Sequence, residues 1–121
     1  MDNNKLDFLV SKGIDVNAGI SYLGDASLYE EILLDFKNGF INQMNEIKRV
    51  YETKDYAQYT ILVHALKSNC KTLGIMSLAE LAYQHEMKSK ENDLNFIHLN
   101  ITSLFTKANE VYLTLQEYFS L

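Results

Sequence analysis

The sequence contains no proline and only five glycines, so almost nothing in it interrupts long helices. Its single cysteine, Cys70, excludes an internal disulfide and fits a reducing compartment. No stretch approaches the roughly 20 consecutive apolar residues of a membrane-spanning helix. The polar and acidic start, MDNNKLDFLV, is unlike a secretory signal or a basic transit peptide. We therefore expect a helical, cytoplasmic protein that does not insert into a membrane.

Basic charge is also scarce. The net charge is −5, which argues against a nucleic-acid binder, since such domains are basic. Hydrophobic residues make up 47% of the chain and charged residues 22%, the balance of an ordinary globular protein. A chain of 121 residues suits one domain with its own core, and we expect residues 1–121 to form it.

Four long stretches repeat apolar residues at the spacing of amphipathic helices. They cover roughly residues 25–52, 55–73, 77–90 and 94–119, and residues 1–24 predict one or two short helices separated by glycines. Capping residues stand at the starts of the long stretches: Asp25 or Ser27, Asp55, Ser77 and Asp93. The expected core positions of the first and last are Leu28, Ile32, Leu33, Phe36, Phe40, Met44, Ile47, Val50 and Tyr51, and Phe96, Leu99, Ile101, Leu104, Phe105, Ala108, Val111, Tyr112, Leu115 and Phe119. The pattern predicts an all-α fold, an antiparallel four-helix bundle with an additional short N-terminal helix.

The second long stretch carries a histidine opposite its apolar side. Each helical residue advances by about 100°, which places Tyr59, Leu62, Leu66, Cys70 and Leu73 on one stripe. The opposite face carries Thr60, His64, Lys67, Ser68 and Lys71, with Ile61 at its rim. Periodicity alone leaves two interpretations open, namely a solvated helix face that includes a histidine and a reactive site.

The exposed constellation has the chemistry to hold a phosphoryl group. An imidazole is a good nucleophile at neutral pH. The ammonium of Lys67 lies about one turn along the same face and can pair with a phosphoryl oxygen. The Ser68 hydroxyl adds a small donor. No general base is aimed at water, so a phosphoryl group on His64 could persist.

The other histidines and the cysteine predict structural roles. His85 shares a stripe with Leu78, Leu81 and Ala82, which places it in the interior or at its edge. His98 has no partner visible in the sequence. Di-iron bundles need a Glu-x-x-His spacing, but the residues three positions before the histidines are Ile61, Ala82 and Asn95. Cys70 has no second cysteine nearby and is expected to be a buried hydrophobe. We expect no metal site.

The stretch HALKSNCKTLG, from His64 to Gly74, resembles the signature of histidine-containing phosphotransfer (HPt) domains, the histidine carriers of multistep two-component phosphorelays. That signature runs roughly H-x-L-K-G and closes with a glycine ten positions after the histidine. His64, Leu66, Lys67 and Gly74 match it. The resemblance covers about residues 12–90: GIDVNAGISYLGDASLYEEILLDF is similar to the family's N-terminal region, and LAELAYQHE is similar to the helix after the motif.

The resemblance implies a role for each matching residue. His64 would be phosphorylated on Nε2, and Lys67 would contact the phosphoryl group and stabilise the phosphohistidine. Glu86 would accept a hydrogen bond from Nδ1 and so orient the ring. Ser68 replaces the family's glycine, which crowds the site by a hydroxymethyl group and offers the phosphate a hydrogen bond.

Further departures concern the surroundings of the site. Asn69 and Cys70 replace residues that are commonly smaller, and His85 stands where leucine is usual. Thr60, Ile61 and Lys71 would form the rim on which a partner docks, with lysine charge assisting the encounter and Ile61 supplying contact area.

The resemblance implies a phosphocarrier without catalytic activity of its own. Its expected partners are response-regulator receiver domains, a hybrid sensor histidine kinase, or both, and we expect the carrier to be a monomer. No cofactor is expected, because Mg²⁺ would be needed only in the partner receiver domain. Two rival interpretations are a degenerate HPt adaptor that binds receivers without accepting phosphate, and a metal-binding helical enzyme.

Overall fold

The chain folds into six α-helices, with no strand, over residues 3–121, the range that the computed structural model describes, with side chains from Lys5 onward. The helices are α1 Asn3–Ser11, α2 Val16–Leu23, α3 Ala26–Glu52, α4 Tyr56–Thr72, α5 Met76–Lys90 and α6 Leu94–Tyr118. The predicted all-α class is confirmed. Of the one or two short helices predicted before residue 25, the structure has two, α1 and α2, with Gly13 between them, where the predicted fold counted one additional helix. Residues 1 and 2 of the predicted entry segment lie outside the described range.

Aspartate caps set the starts of three of the long helices. The carboxylates of Asp25, Asp55 and Asp93 accept hydrogen bonds from the backbone N–H groups of Leu28, Gln58 and Phe96, respectively. Each bond satisfies a donor that the first helical turn leaves unpaired. The predicted starts of α3, α4 and α6 are therefore confirmed, with Asp25 rather than Ser27 capping α3.

The start of α5 differs from its prediction. The residue before the helix is Ile75, which makes no side-chain cap, and the expected cap Ser77 lies within the first turn. The Ile75 side chain is only 1% exposed, so the position before α5 serves the core instead of capping the helix. The chain reverses just before it at Gly74, whose φ of 77° is accessible to glycine at little cost.

The helices pack around one continuous hydrophobic core. α4 packs against α3 and α5, α5 packs against α6, and α6 packs against α3. The short helices join this group, α2 against α3 and α4, and α1 against α6 and α2. None of the helices in the described part of the chain is long and apolar enough to cross a membrane.

Two predicted core residues lie at the surface. Leu28 is 37% exposed and Leu99 is 81% exposed, whereas their neighbours Tyr29 and Ile97 are fully buried. In α3, the Tyr29 hydroxyl donates a hydrogen bond to the carbonyl oxygen of Leu73 at 2.7 Å, which turns this position inward. Helical periodicity misses such shifts because the neighbours that cover the ends of a helix differ from those that cover its middle.

Candidate functional site

His64 lies on the outer side of α4, with its side chain 55% exposed, and one ring nitrogen is held from α5. Its Nδ1 is 2.7 Å from Oε2 of Glu86. The Glu86 side chain is only 3% exposed. The structure thus brings together two residues that lie 22 positions apart in the sequence, an exposed imidazole and a buried carboxyl group.

Two lysines surround the Glu86 carboxyl group. Lys67 Nζ lies 2.9 Å from Oε1, and Lys90 Nζ lies 3.0 Å from Oε2. Burial by itself raises the pKa of Glu86, but the hydrogen bonds from Lys67, Lys90 and His64 outweigh it and lower this pKa to about 2. The carboxyl group is therefore ionised at neutral pH.

An ionised Glu86 fixes the tautomer of the His64 ring. A carboxylate can only accept hydrogen bonds, so Nδ1 must carry the proton and donate it to Oε2. The contact of 3.3 Å between Lys67 Nζ and Nδ1 is then no hydrogen bond, because both nitrogens carry hydrogens. Among the side chains described, from Lys5 onward, the one hydrogen bond of this ring is that from Nδ1 to Glu86. Nε2 keeps its lone pair free for an incoming electrophile.

Lys67 is more enclosed than its helical phase predicts. Its side chain is 17% exposed, because the ammonium reaches inward to Glu86 and lies over the Tyr83 ring, 5.5 Å from its centroid. Sequence reasoning missed Lys90 and Tyr83. The signal for Lys90 was its spacing of four residues from Glu86, which places both on one face of α5.

The remaining predicted site residues occupy different environments. Ser68, Ile61 and Lys71 are exposed, Ile61 by 58%. The Thr60 hydroxyl is half-buried and bonds to the Tyr56 carbonyl and to the Ser89 hydroxyl, 2.6 Å away. Thr60 therefore belongs to the α4–α5 packing more than to a free rim.

A cleft opens beside Lys67 on the same side of the molecule. Its volume is about 330 Å³, and its lining is Lys67, Lys71, Met76, Ala79, Glu80 and Tyr83. Basic, acidic and apolar side chains thus lie next to each other along the exposed edge between α4 and α5.

The other candidates of the sequence analysis lie apart from this site. His85 is buried, as predicted, and His98 pairs with the Tyr51 hydroxyl. Burial raises the pKa of the Cys70 thiol to about 12, which agrees with the predicted role as a buried hydrophobe. In the described part of the chain, no three residues among His, Cys, Asp and Glu are grouped as a metal site requires.

No family model matches the sequence, no curated protein is significantly similar to it, and no solved structure is significantly similar to its fold. Any function must therefore follow from the chemistry of the site itself.

The Glu86 carboxylate makes a testable contribution to stability. Its pKa in the folded chain, about 2, lies below the ordinary value of 4.5, so ionisation stabilises the folded state above about pH 4.5. This contribution, on the order of 1 to 2 kcal/mol after solvent screening, is lost as the pH falls from about 4.5 towards 2. The stability advantage of the wild type over Glu86→Gln, measured by urea unfolding, should shrink across that range.

The matched control for this experiment is Glu80→Gln, which removes an exposed carboxyl group from the same helix. Its unfolding free energy should stay close to that of the wild type at each pH. If the unfolding free energies of the wild type and Glu86→Gln changed in parallel with pH, the lowered pKa of Glu86 would be contradicted.

Proposed function

We propose that this chain is a histidine phosphotransfer protein or domain. It accepts a phosphoryl group on His64 from a receiver-domain aspartate and passes it to the aspartate of another receiver domain. One observation carries the proposal: His64 is exposed while its Nδ1 donates to the buried, ionised Glu86, which leaves Nε2 as the free nucleophile. The resemblance of HALKSNCKTLG to the HPt signature supports the same assignment.

We further propose that α3 to α6 form an antiparallel four-helix bundle, with α1 and α2 as N-terminal additions. The pairwise packing of α3 with α4, α4 with α5, α5 with α6 and α6 with α3 supports this arrangement. The connections at residues 53–55, 73–75 and 91–93 are short, as expected for antiparallel neighbours.

The proposed transfer is an in-line displacement at phosphorus. The Nε2 lone pair forms the N–P bond while the bond from phosphorus to the aspartyl oxygen breaks, and the aspartate leaves as a carboxylate. The ring, still protonated at Nδ1, gains positive charge, which the Glu86 carboxylate stabilises at 2.7 Å. The reverse displacement returns the phosphoryl group to an aspartate. Mg²⁺ belongs to the receiver in this scheme.

The lysines give the site an excess of positive charge. Lys67 and Lys90 together carry two positive charges against the single negative charge of Glu86. A phosphoryl group on Nε2 would meet this local excess on a chain whose net charge is −5. The exposed Ile61 and Lys71 would contact the receiver, and the cleft beside Lys67 would admit one of its side chains.

The direct test is incubation of the purified chain with a panel of phosphorylated receiver domains. We expect label to move from at least one receiver to this chain and to be labile in acid but stable in alkali. The rival adaptor function is favoured by Ser68, whose hydroxymethyl group stands where the HPt signature has glycine. Receiver binding without any transfer, across the panel, would establish the adaptor and overturn the carrier.

The Lys67→Ala variant should bear a less durable phosphohistidine. Without the ammonium, the half-life of the label on His64 should fall about threefold to tenfold, equivalent to about 0.6 to 1.4 kcal/mol. The fold should survive at a cost of about 1 kcal/mol, since Lys67 also pairs with Glu86. Decay of isolated, labelled protein at neutral pH measures the half-life.

Lys71→Ala is the control, because this exposed lysine lies one turn further along α4. It should leave the half-life unchanged and only slow the encounter with receivers, more so at low salt. Equal half-lives for Lys67→Ala and the wild type would remove Lys67 from the phosphoryl site.

A further inference from the structure

His85 is a polar residue buried among apolar side chains of the core. It precedes Glu86 on α5 and is 1% exposed. Its Nδ1 lies 2.8 Å from the Tyr59 hydroxyl of α4. The ring packs edge-on against Phe96, with 5.5 Å between centroids. One imidazole therefore contacts both helices that flank α5.

The hydrogen bond between His85 and Tyr59 is directional and joins α5 to α4. A neutral imidazole has one donor and one acceptor. Nδ1 uses one of these two capacities in its bond to the Tyr59 hydroxyl, 2.8 Å away.

Glu86, the residue after His85, reaches His64 only when α5 has the correct rotation about its own axis. Residues 85 and 86 project about 100° apart on α5, so the rotation that seats His85 also sets the direction of Glu86. At the outer radius of a helix, about 5 to 6 Å, a turn of about 10° moves a side chain by about 1 Å. The bond of 2.7 Å between Glu86 and His64 would not survive such a shift.

We infer that His85 is a positioning residue: its bond to Tyr59 and its packing against Phe96 lock the rotation of α5, so that Glu86 holds His64 with Nε2 free. The inference rests on the proposed function of His64. Apolar contacts alone would allow α5 more than one rotation, because a repacked core loses its single well-defined arrangement before it loses stability. A directional hydrogen bond in the core, such as the one between His85 and Tyr59, supplies that specificity.

The test replaces both partners of the buried bond, in the double variant Tyr59→Phe/His85→Leu. Removing both polar groups leaves no orphaned hydroxyl, so the variant should still unfold cooperatively on heating. Nitrogen-15 NMR of the His64 ring in unphosphorylated protein should show mainly the Nδ1–H tautomer in the wild type and a mixture in the variant. The rate of phosphoryl transfer to His64 should fall between about tenfold and a hundredfold.

Tyr59→Phe alone removes one hydroxyl and should shift the tautomer in the same direction by a smaller amount, which keeps the test valid if the double variant unfolds. Tyr29→Phe is the matched control. It deletes another buried hydroxyl bond, to the Leu73 carbonyl at 2.7 Å, which joins α3 to the end of α4 and does not involve α5. It should leave the His64 tautomer unchanged.

The tautomer does not depend on phosphorylation, so the two ideas fail separately. An unchanged tautomer and rate in the Tyr59 and His85 variants would overturn the positioning role, even if the wild type is a good phosphoryl acceptor. A shifted tautomer in a chain that no receiver phosphorylates would support the positioning role and count against the proposed function.

Discussion

The His64→Gln variant will acquire no acid-labile phosphoryl group from any receiver that phosphorylates the wild type. Glutamine is similar in size and can still donate a hydrogen bond to Glu86, but its amide nitrogen is not nucleophilic. The expected loss is complete within the detection limit of a transfer assay followed by acid and alkali treatment. Because His64 is 55% exposed, the unfolding free energy should change by no more than about 0.5 kcal/mol.

His98→Gln provides the control for this variant. His98 is also an exposed histidine, but it lies on α6 and its Nδ1 pairs with the Tyr51 hydroxyl instead of a carboxylate. This variant should accept label as the wild type does. Label that persists in His64→Gln and disappears in His98→Gln would move the phosphorylated residue to His98 and contradict the proposal.

The sequence predicted the helices well because their boundaries depend on local chemistry. The aspartates at positions 25, 55 and 93 cap helices through their own nearest N–H groups, and Gly74 ends α4 through its backbone conformation. Such signals need no tertiary contact. The prediction was wrong for the start of α5, where burial of Ile75 overrides the capping preference of Ser77.

The sequence predicts which side of α4 a site residue occupies, but not which residues its side chain contacts. Helical phase states where a Cβ atom points, and it correctly placed His64 on the exposed side of α4. It cannot state where a long side chain ends, and Lys67 folds back to Glu86 through its flexible methylene groups. The pairing of Lys67 with Glu86 depends on the relative rotation of α4 and α5, which the sequence does not encode locally, whereas Lys90 and Glu86 pair within α5.

The largest expected loss of stability is that of Gly74→Ala. A Cβ atom at this position would lie 2.0 Å from the carbonyl oxygen of Asp15 and 2.7 Å from its carbonyl carbon. Both atoms are backbone and cannot rotate away, and the backbone N–H of Asp15 is bonded to the Gly74 carbonyl at 2.9 Å. The left-handed conformation, with φ of 77°, adds strain of about 1 kcal/mol. Together with about 2 to 3 kcal/mol for the overlap, we expect a loss of about 3 to 4 kcal/mol.

The Gly24→Ala variant separates the loss caused by backbone strain from the loss caused by overlap with Asp15. Gly24 has a similar φ of 83°, but a Cβ atom there meets nothing within 4 Å. This variant should lose only the strain of about 1 kcal/mol, so thermal unfolding should show a fall of about 4 °C against more than about 12 °C for Gly74→Ala. Equal losses would mean that α2 moves away from the α4–α5 turn without cost. A much larger loss for Gly74→Ala would show that the glycine closing HALKSNCKTLG is required for the close approach of the turn to Asp15, where α2 begins, and not for the turn alone.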